Sequence, residues 1–156
     1  MMTITIRPAT RDDVPVIVRL LADDPLGSRR ELLEDPVAPV YLRAVDEMAN
    51  QPGNELVVAV EGDEVIGCLQ LTIVTGLSRR GIRRALLEGV RVSSGHRGEK
   101  VGEQLVQYAI ARARAAGCGL VQLTSDVSRL DARRFYEKLG FKATHIGMKL
   151  PLLSGS

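Results

Sequence analysis

Val90-Arg91-Val92-Ser93-Ser94-Gly95-His96-Arg97-Gly98-Glu99-Lys100-Val101-Gly102-Glu103-Gln104-Leu105 is the stretch from which the rest of the chain can be read. It starts as an alternating strand, passes through a short glycine-containing loop, and becomes a helix. From Gly102 onward Leu105, Val106, Ala109, Ile110 and Ala113 recur at helical spacing and form one apolar stripe. The first N–H groups of such a helix have no partners inside it, and the positive end of its dipole points the same way. Strand, loop and helix start therefore make a cradle for an anion, above all phosphate. Gly98 and Gly102 permit close backbone approach, and Arg97 adds a charge-assisted donor. Taken alone, the stretch fits a phosphate site and a plain strand-to-helix turn equally well. It lacks the Gly-Lys-Ser/Thr of the lysine-containing P-loop and the Gly-x-Gly-x-x-Gly of a dinucleotide fold, which argues against an ATPase or a nicotinamide enzyme.

Working outward, residues 3–7 alternate as a first strand ended by Pro8. Thr10 with Asp13 three residues on reads as a capping box, before a helix with Val14, Ile17, Val18 and Leu21 on one stripe. A second helix is expected over residues 40–49. The period then changes to two. Residues 55–60, 65–75 and 82–92 read as three long strands of an antiparallel meander, with Glu61-Gly62-Asp63-Glu64 as the first hairpin turn. Gly117 stops the long helix, and residues 120–124 are apolar enough for a central strand. Residues 130–139 read as a helix stopped by Gly140, and residues 141–146 and 148–152 as closing strands. The order is mixed α/β, and 156 residues suit one domain spanning the chain, with its core at about residues 4–152.

Composition narrows the function. Apolar residues make up 45% of the chain and charged residues 26%, as in ordinary globular proteins. A net charge of +2, no Trp and few other aromatics disfavour nucleic acid, despite the basic run Arg79, Arg80, Arg83 and Arg84. No apolar run reaches the roughly 18 residues of a membrane span, and no signal segment is visible. Cys68 and Cys118 are far apart and read as thiols of a cytoplasmic protein, and no His/Cys spacing suggests a metal site.

A second motif, Ala132-Arg133-Arg134-Phe135-Tyr136-Glu137-Lys138-Leu139-Gly140-Phe141, joins the first. Arg97-Gly98-x-x-x-Gly102 after an alternating strand resembles the pyrophosphate loop of the GCN5-related N-acetyltransferase family, whose pattern is Arg/Gln-x-x-Gly-x-Gly/Ala. Lys100 stands at the first glycine position. The second motif resembles the family's Ala-x-x-Phe/Leu-Tyr-x-x-x-Gly-Phe. The two occur in the family's order and spacing. The resemblance implies a mixed, mostly antiparallel sheet flanked by helices and splayed at the cofactor cleft, with acetyl-CoA as cosubstrate. Its loop contacts fall on Arg97, Gly98, Glu99, Lys100, Val101, Gly102 and Glu103. Val90 and Val92 would lend backbone groups to the pantetheine arm. Ser128, Asp131 and Arg134 would reach its distal parts.

Direct acetyl transfer to an amine needs a proton acceptor for the amine and a proton donor for the departing thiolate. The resemblance puts Tyr136 near the thioester sulfur, as general acid. Glu88 interrupts an apolar strand, where a carboxylate is costly unless paired, wet or functional, so it is the candidate base. Alternation puts Glu88 on one face with Leu86, Val90 and Val92, and Gly89 suits a bulge that opens the strand. His96 and His145 read as structural. The expected function is N-acetylation of a small-molecule primary amine. Acetylation of a protein or peptide, and a non-catalytic acyl-CoA-binding role, are the alternatives. A homodimer through the closing strands would protect an exposed sheet edge.

Overall fold

The computed structural model describes residues 3–98 and 100–153. Its centre is a five-stranded sheet in the order β1(Ile4–Pro8), β2(Asn54–Glu61), β3(Glu64–Thr75), β4(Arg83–Val92), β5(Leu120–Leu123). The first four strands are antiparallel, and β5 runs parallel to β4. Glu61 pairs with Glu64, so Gly62 and Asp63 form a two-residue hairpin turn in which Gly62 takes φ +60°. This is the meander expected from the change of period.

Helices cover both faces. On one, α1(Val14–Ala22) buries Ile17 and Leu20 against Val58, Val60 and Cys68. Its start is set by the capping box: Thr10 N donates to Asp13 Oδ2 at 2.7 Å. The Asp13 carboxylate, 7% exposed, also accepts two hydrogen bonds from Arg7, at 2.7 and 3.1 Å. The Arg7 guanidinium thereby holds this carboxyl below its ordinary pKa, against the opposing effect of burial. A short turn, α2(Gly27–Arg30), and α3(Pro39–Ala49) follow. On the other face α5(Val101–Ala115) buries Val101, Leu105, Val106, Ala109 and Ala113 over Val57, Leu69, Leu71, Ala85 and Leu87. Between β3 and β4 the chain makes a single turn, α4(Ser78–Gly81), in which Arg79 and Arg80 have left-handed φ. Within the basic run, Arg83 donates to the Ala116 carbonyl at the end of α5, and Arg84 donates to Ser78. No described helix is long and apolar enough to cross a membrane.

Two features of β4 set up the site. The β4–β5 ladder runs only from Arg84↔Leu120 to Leu87↔Leu123, so residues 88–92 are paired to β3 alone and the two parallel strands part. At the same point β4 carries an extra residue. Arg91 pairs with Cys68 and Glu88 with Gln70, leaving Gly89 and Val90 opposite the single Leu69. Gly89 sits at φ +60°, the left-handed conformation that glycine adopts without penalty. The bulge resets the alternation: Ala85 and Leu87 before it, and Val90 and Val92 after it, all pack into the α5-side core. Plain alternation therefore misplaces Glu88, which does not share a face with Val90 and Val92. Arg91 is turned toward the α1 side, where it meets Asp24.

The chain ends differently from the sequence expectation. After α6(Leu130–Lys138), residues 139–153 form no strand, neither at 141–146 nor at 148–152. A strand exists only by virtue of a ladder partner. β5 closes the sheet with a bare edge, and this segment does not pair with it.

Candidate active site

The site lies where β4 and β5 separate. Glu88 is exposed at the start of the gap and makes no side-chain hydrogen bond or ion pair among the described residues. Val90 and Val92 put half-buried side chains into the core. On the side away from β3, this part of β4 has no neighbouring strand to pair with. An extended ligand arm could take up that pairing.

α5 supplies the end wall. Lys100 is its N-cap, with φ 64° and ψ 17°, and no side chain caps the helix. The first-turn amides, including those of Val101, Gly102 and Glu103, face outward without intrahelical acceptors. The left-handed φ at Lys100 explains why the family pattern puts glycine there: the turn into the helix needs this conformation, and a Cβ makes it costlier by about 1–2 kcal/mol. Gly98 is also left-handed, φ +87°, and a Cβ there would meet nothing within 4 Å. Gly102 has a different function: a Cβ on it would come within 3.3 Å of Phe135 Cζ, so its small size lets α6 sit on the start of α5. Val101 is buried, leaving only its backbone for a ligand. Arg97 is exposed and leans on the C-terminal end of α1, donating to Asp23 O at 3.3 Å with its carboxylate at 3.7 Å. Glu99 lies outside the described residues.

α6 brings in Tyr136. Its ring packs edge-on against Phe135, with centroids 5.1 Å apart, and against Phe141, 5.7 Å apart. Burial pushes the phenol above its ordinary pKa, and the nearby charges of Arg91 and Arg129 only partly offset this. The hydroxyl therefore stays protonated at neutral pH, and no described group accepts its hydrogen bond. Of the more distal candidates, Ser128 donates twice to Asp126 Oδ1, from N at 2.9 Å and Oγ at 2.6 Å. Asp126 thus caps the turn into α6. Asp131 and Arg134 stand in solvent and face each other at 3.4 Å. His96 bonds Ser93 at 2.7 Å and lies 3.8 Å from Glu61, as a structural histidine would.

The sequence reading missed one group. Asp24, just beyond α1, receives two guanidiniums on Oδ2, from Arg129 at 2.6 Å and Arg91 at 3.7 Å. All three side chains are largely buried. Burial would raise the Asp24 pKa, but the Gly27 amide and the two arginines outweigh it and hold the carboxyl below its ordinary value. Arg91 and Arg129 thus share the Asp24 carboxylate beside Tyr136, with Asp126 and Arg30 also near Arg129, and the buried Arg91 Nε has no partner. The signal was weak: Asp24 and Arg129 sit in irregular stretches just outside α1 and α6, and Arg91 reaches the site because of the bulge. A separate groove of about 1060 Å³ lies between α1 and the β2–β3 hairpin, and none of Glu88, Arg91 or Tyr136 lines it.

The family model described as the acetyltransferase (GNAT) family matches residues 20–141. The chain belongs to this family. Membership brings acetyl transfer as the reaction and acetyl-CoA as the cosubstrate. The GNAT chain is similar to the crystal structure of a transcriptional regulator from Bacillus halodurans C-125, with 49% identity and TM-score 0.94 over 96% of this chain and 100% of that one. It is 30% identical over 148 residues to glucosamine 6-phosphate N-acetyltransferase of Trypanosoma brucei brucei, covering 90% of this chain and 99% of that one. It is 35% identical over 88 residues to aminoalkylphosphonate N-acetyltransferase of Salmonella typhimurium. That match spans 56% of either chain, so this chain covers just over half of that relative's length.

Proposed function

We propose that this GNAT protein acetylates a small primary amine that also carries an anionic group of the phosphate, phosphonate or carboxylate class. The observation that carries this reading is the pair of guanidiniums, Arg91 and Arg129, that share the Asp24 carboxylate beside Tyr136, where with Arg30 the arginines outnumber the carboxylates of Asp24 and Asp126. The excess positive charge is partly desolvated, where an anion gains more from it than in water. The names of two relatives point the same way, since glucosamine 6-phosphate and aminoalkylphosphonates are both amines with an anionic group. The transcriptional role named for the Bacillus relative is not favoured by a chain with net charge +2, in whose basic run Arg83 and Arg84 are engaged with its own fold.

Bound acetyl-CoA supplies the acetyl group. The first-turn amides of α5, with Arg97 and the Lys100 rim, hold its pyrophosphate, and the unpaired edge at Val90 and Val92 takes its extended arm. Glu88 accepts the proton of the incoming amine, directly or through water. As the new C–N bond forms and the C–S bond breaks, the Tyr136 hydroxyl donates its proton to the departing sulfur. The raised pKa of Tyr136 keeps that proton available throughout the neutral range. Ser128 lies in the turn before α6, and Asp131 and Arg134 lie on the part of α6 that precedes Tyr136; all three make at most outer contacts.

The test is thiol release from acetyl-CoA with matched amines that differ only in the anionic group. The anionic member is expected to have at least a tenfold higher kcat/KM, and Arg91→Gln to raise its KM about tenfold while leaving the KM for acetyl-CoA nearly unchanged. Arg97→Ala should do the reverse, and Tyr136→Phe should lower kcat about 10²-fold with little change in either KM. Equal rates for both members of each pair would remove the anion from the reading, and an unaltered kcat in Tyr136→Phe would remove the acid.

A further inference from the structure

The turn after α1 holds the Asp24 carboxylate where it is. Asp24 Oδ1 accepts the Gly27 amide, and its main-chain carbonyl accepts the Ser28 amide at 2.9 Å. A Cβ on Gly27 would come within 1.9 Å of Leu21 O and 2.8 Å of Asp24 Oδ1, so this turn is packed too closely to swing aside. With Oδ1 engaged in the turn, Oδ2 is left for the guanidiniums of Arg129 and Arg91. Burial alone would raise the pKa of this carboxyl, but the Gly27 amide and the two arginines hold it below its ordinary value. Asp24 is therefore a fixed negative charge at neutral pH.

That charge does not satisfy the arginines. Arg129 Nη2 lies 2.6 Å from Asp24 Oδ2, but Arg91 Nη2 stands at 3.7 Å, beyond hydrogen-bond reach. The buried Arg91 Nε has no partner among the described residues, while Nη1 donates to the Val90 carbonyl at 3.0 Å and anchors the group. Arg30 adds a third positive charge, near Asp126. Three guanidiniums thus face two carboxylates, a surplus of one positive charge. One negative charge on an incoming acceptor cancels that surplus, while its amine goes to Glu88. A second negative charge finds no further cation and is repelled by Asp24, in a partly desolvated setting where repulsion is felt more than in water.

We propose that Asp24 is a specificity-determining residue of the acceptor site, a built-in counter-charge that shares Arg91 and Arg129 with the acceptor and selects an amine whose anionic group carries one charge over one that carries two. The inference rests on the anionic-amine reading above and narrows it to singly charged groups such as a carboxylate. Asp24 acts on each ligand charge separately, so a doubly charged group feels about twice the repulsion of a singly charged one. A repulsive charge placed against the wrong partner is a general route to specificity. Asp23, its neighbour in the chain, has no part in this: it is half exposed and faces Arg97.

The test is kcat/KM by thiol release from acetyl-CoA, with three amines of equal chain length that end in a carboxylate, a phosphate monoester or an uncharged amide. It is run at about pH 7.5, above the second pKa of the phosphate. The wild-type protein should favour the carboxylate over the phosphate by at least about threefold, and both over the amide. Asp24→Asn keeps an acceptor oxygen for the Gly27 amide and removes the charge, so it should raise the phosphate-to-carboxylate ratio about tenfold and reverse the order. Arg129→Gln should move that ratio the other way, and it carries the test by itself if Asp24→Asn does not fold. A merely structural disturbance would lower the rates of all three amines together and leave the ratio in place. A wild-type preference for the phosphate, or a ratio that stays within about twofold in the variants, overturns the inference while the anionic-amine reading stands. Equal rates for all three amines in the wild type overturn both.

Discussion

The two halves of β4 are made of similar residues and do different things. Residues 83–87 have β3 on one side and β5 on the other, and Ala85 and Leu87 are fully buried beneath α5. Residues 88–92 have β3 alone, hold an exposed carboxylate at Glu88, and turn Arg91 toward Asp24. One glycine separates them. The difference shows how a sheet makes room for a ligand without losing its core. The bulge at Gly89 turns Arg91 out of the core while Val90 and Val92 return to it, so packing continues behind a strand whose front edge has opened.

The comparison can be broken by exchanging the behaviour of the two halves. Leu87→Ala should cost about 2–5 kcal/mol of stability by leaving a cavity under α5, with kcat/KM per folded molecule unchanged, as measured by urea unfolding and initial rates. Glu88→Gln should do the opposite: a fall in kcat of about 10²-fold with a stability change under about 0.5 kcal/mol, because the side chain is exposed and makes no described contact. If both variants lost stability alone, the functional division of β4 would be wrong.

Gly89→Ala tests the hinge between the halves. Its φ of +60° disfavours any Cβ, and a Cβ would lie 3.3 Å from Leu21 Cδ2. The expected loss is about 1–2 kcal/mol by thermal or urea unfolding, together with a higher KM for acetyl-CoA as the β4 edge shifts. The smallest effect is expected at Lys100→Gly, which relieves a left-handed φ in a residue with a side chain. Stability should rise by about 0.5–1 kcal/mol, the strain removed less the entropy that glycine adds to the unfolded chain. Affinity for acetyl-CoA, measured by calorimetry, should change less than threefold, since Lys100 is expected to act mainly through its amide.

Acid sensitivity separates the body from the cleft. The Asp13 carboxyl is held below its ordinary pKa by Arg7. Its contribution to stability is therefore fully present above the unfolded carboxyl value and is lost as the pH falls through the lowered folded value. Asp13→Asn should flatten the decline in melting temperature below about pH 4, while leaving the pH profile of kcat unaltered.

Much of this was legible in the chain itself. Helical and strand periods placed α1, α5, α6 and the meander to within a residue or two, because each of those elements has one face committed to the core. The capping box at Thr10 and Asp13 and the turn at Gly62 were readable because both act over four residues. Gly89 could be suspected as a bulge, since a glycine inside a long strand has few other uses. The side to which Glu88 and Arg91 point was not readable, because one extra residue reverses every later position and only the pairing with β3 reveals it.

The sequence by itself determined the order of elements from β1 to α6 apart from the short turns, the open start of α5 and the family, since these rest on local spacing and on motifs within a few turns of one another. Tertiary structure decided three things: the opening of β4 from β5, the meeting of Arg91, Arg129 and Asp24, and the absence of a strand at residues 144–152. Each depends on contacts between residues dozens apart in the chain, or on the lack of them. A pattern can state that a segment is fit to be a strand. Whether it becomes one depends on whether it meets a partner edge in register, and here the segment passes the end of β5 without pairing with it.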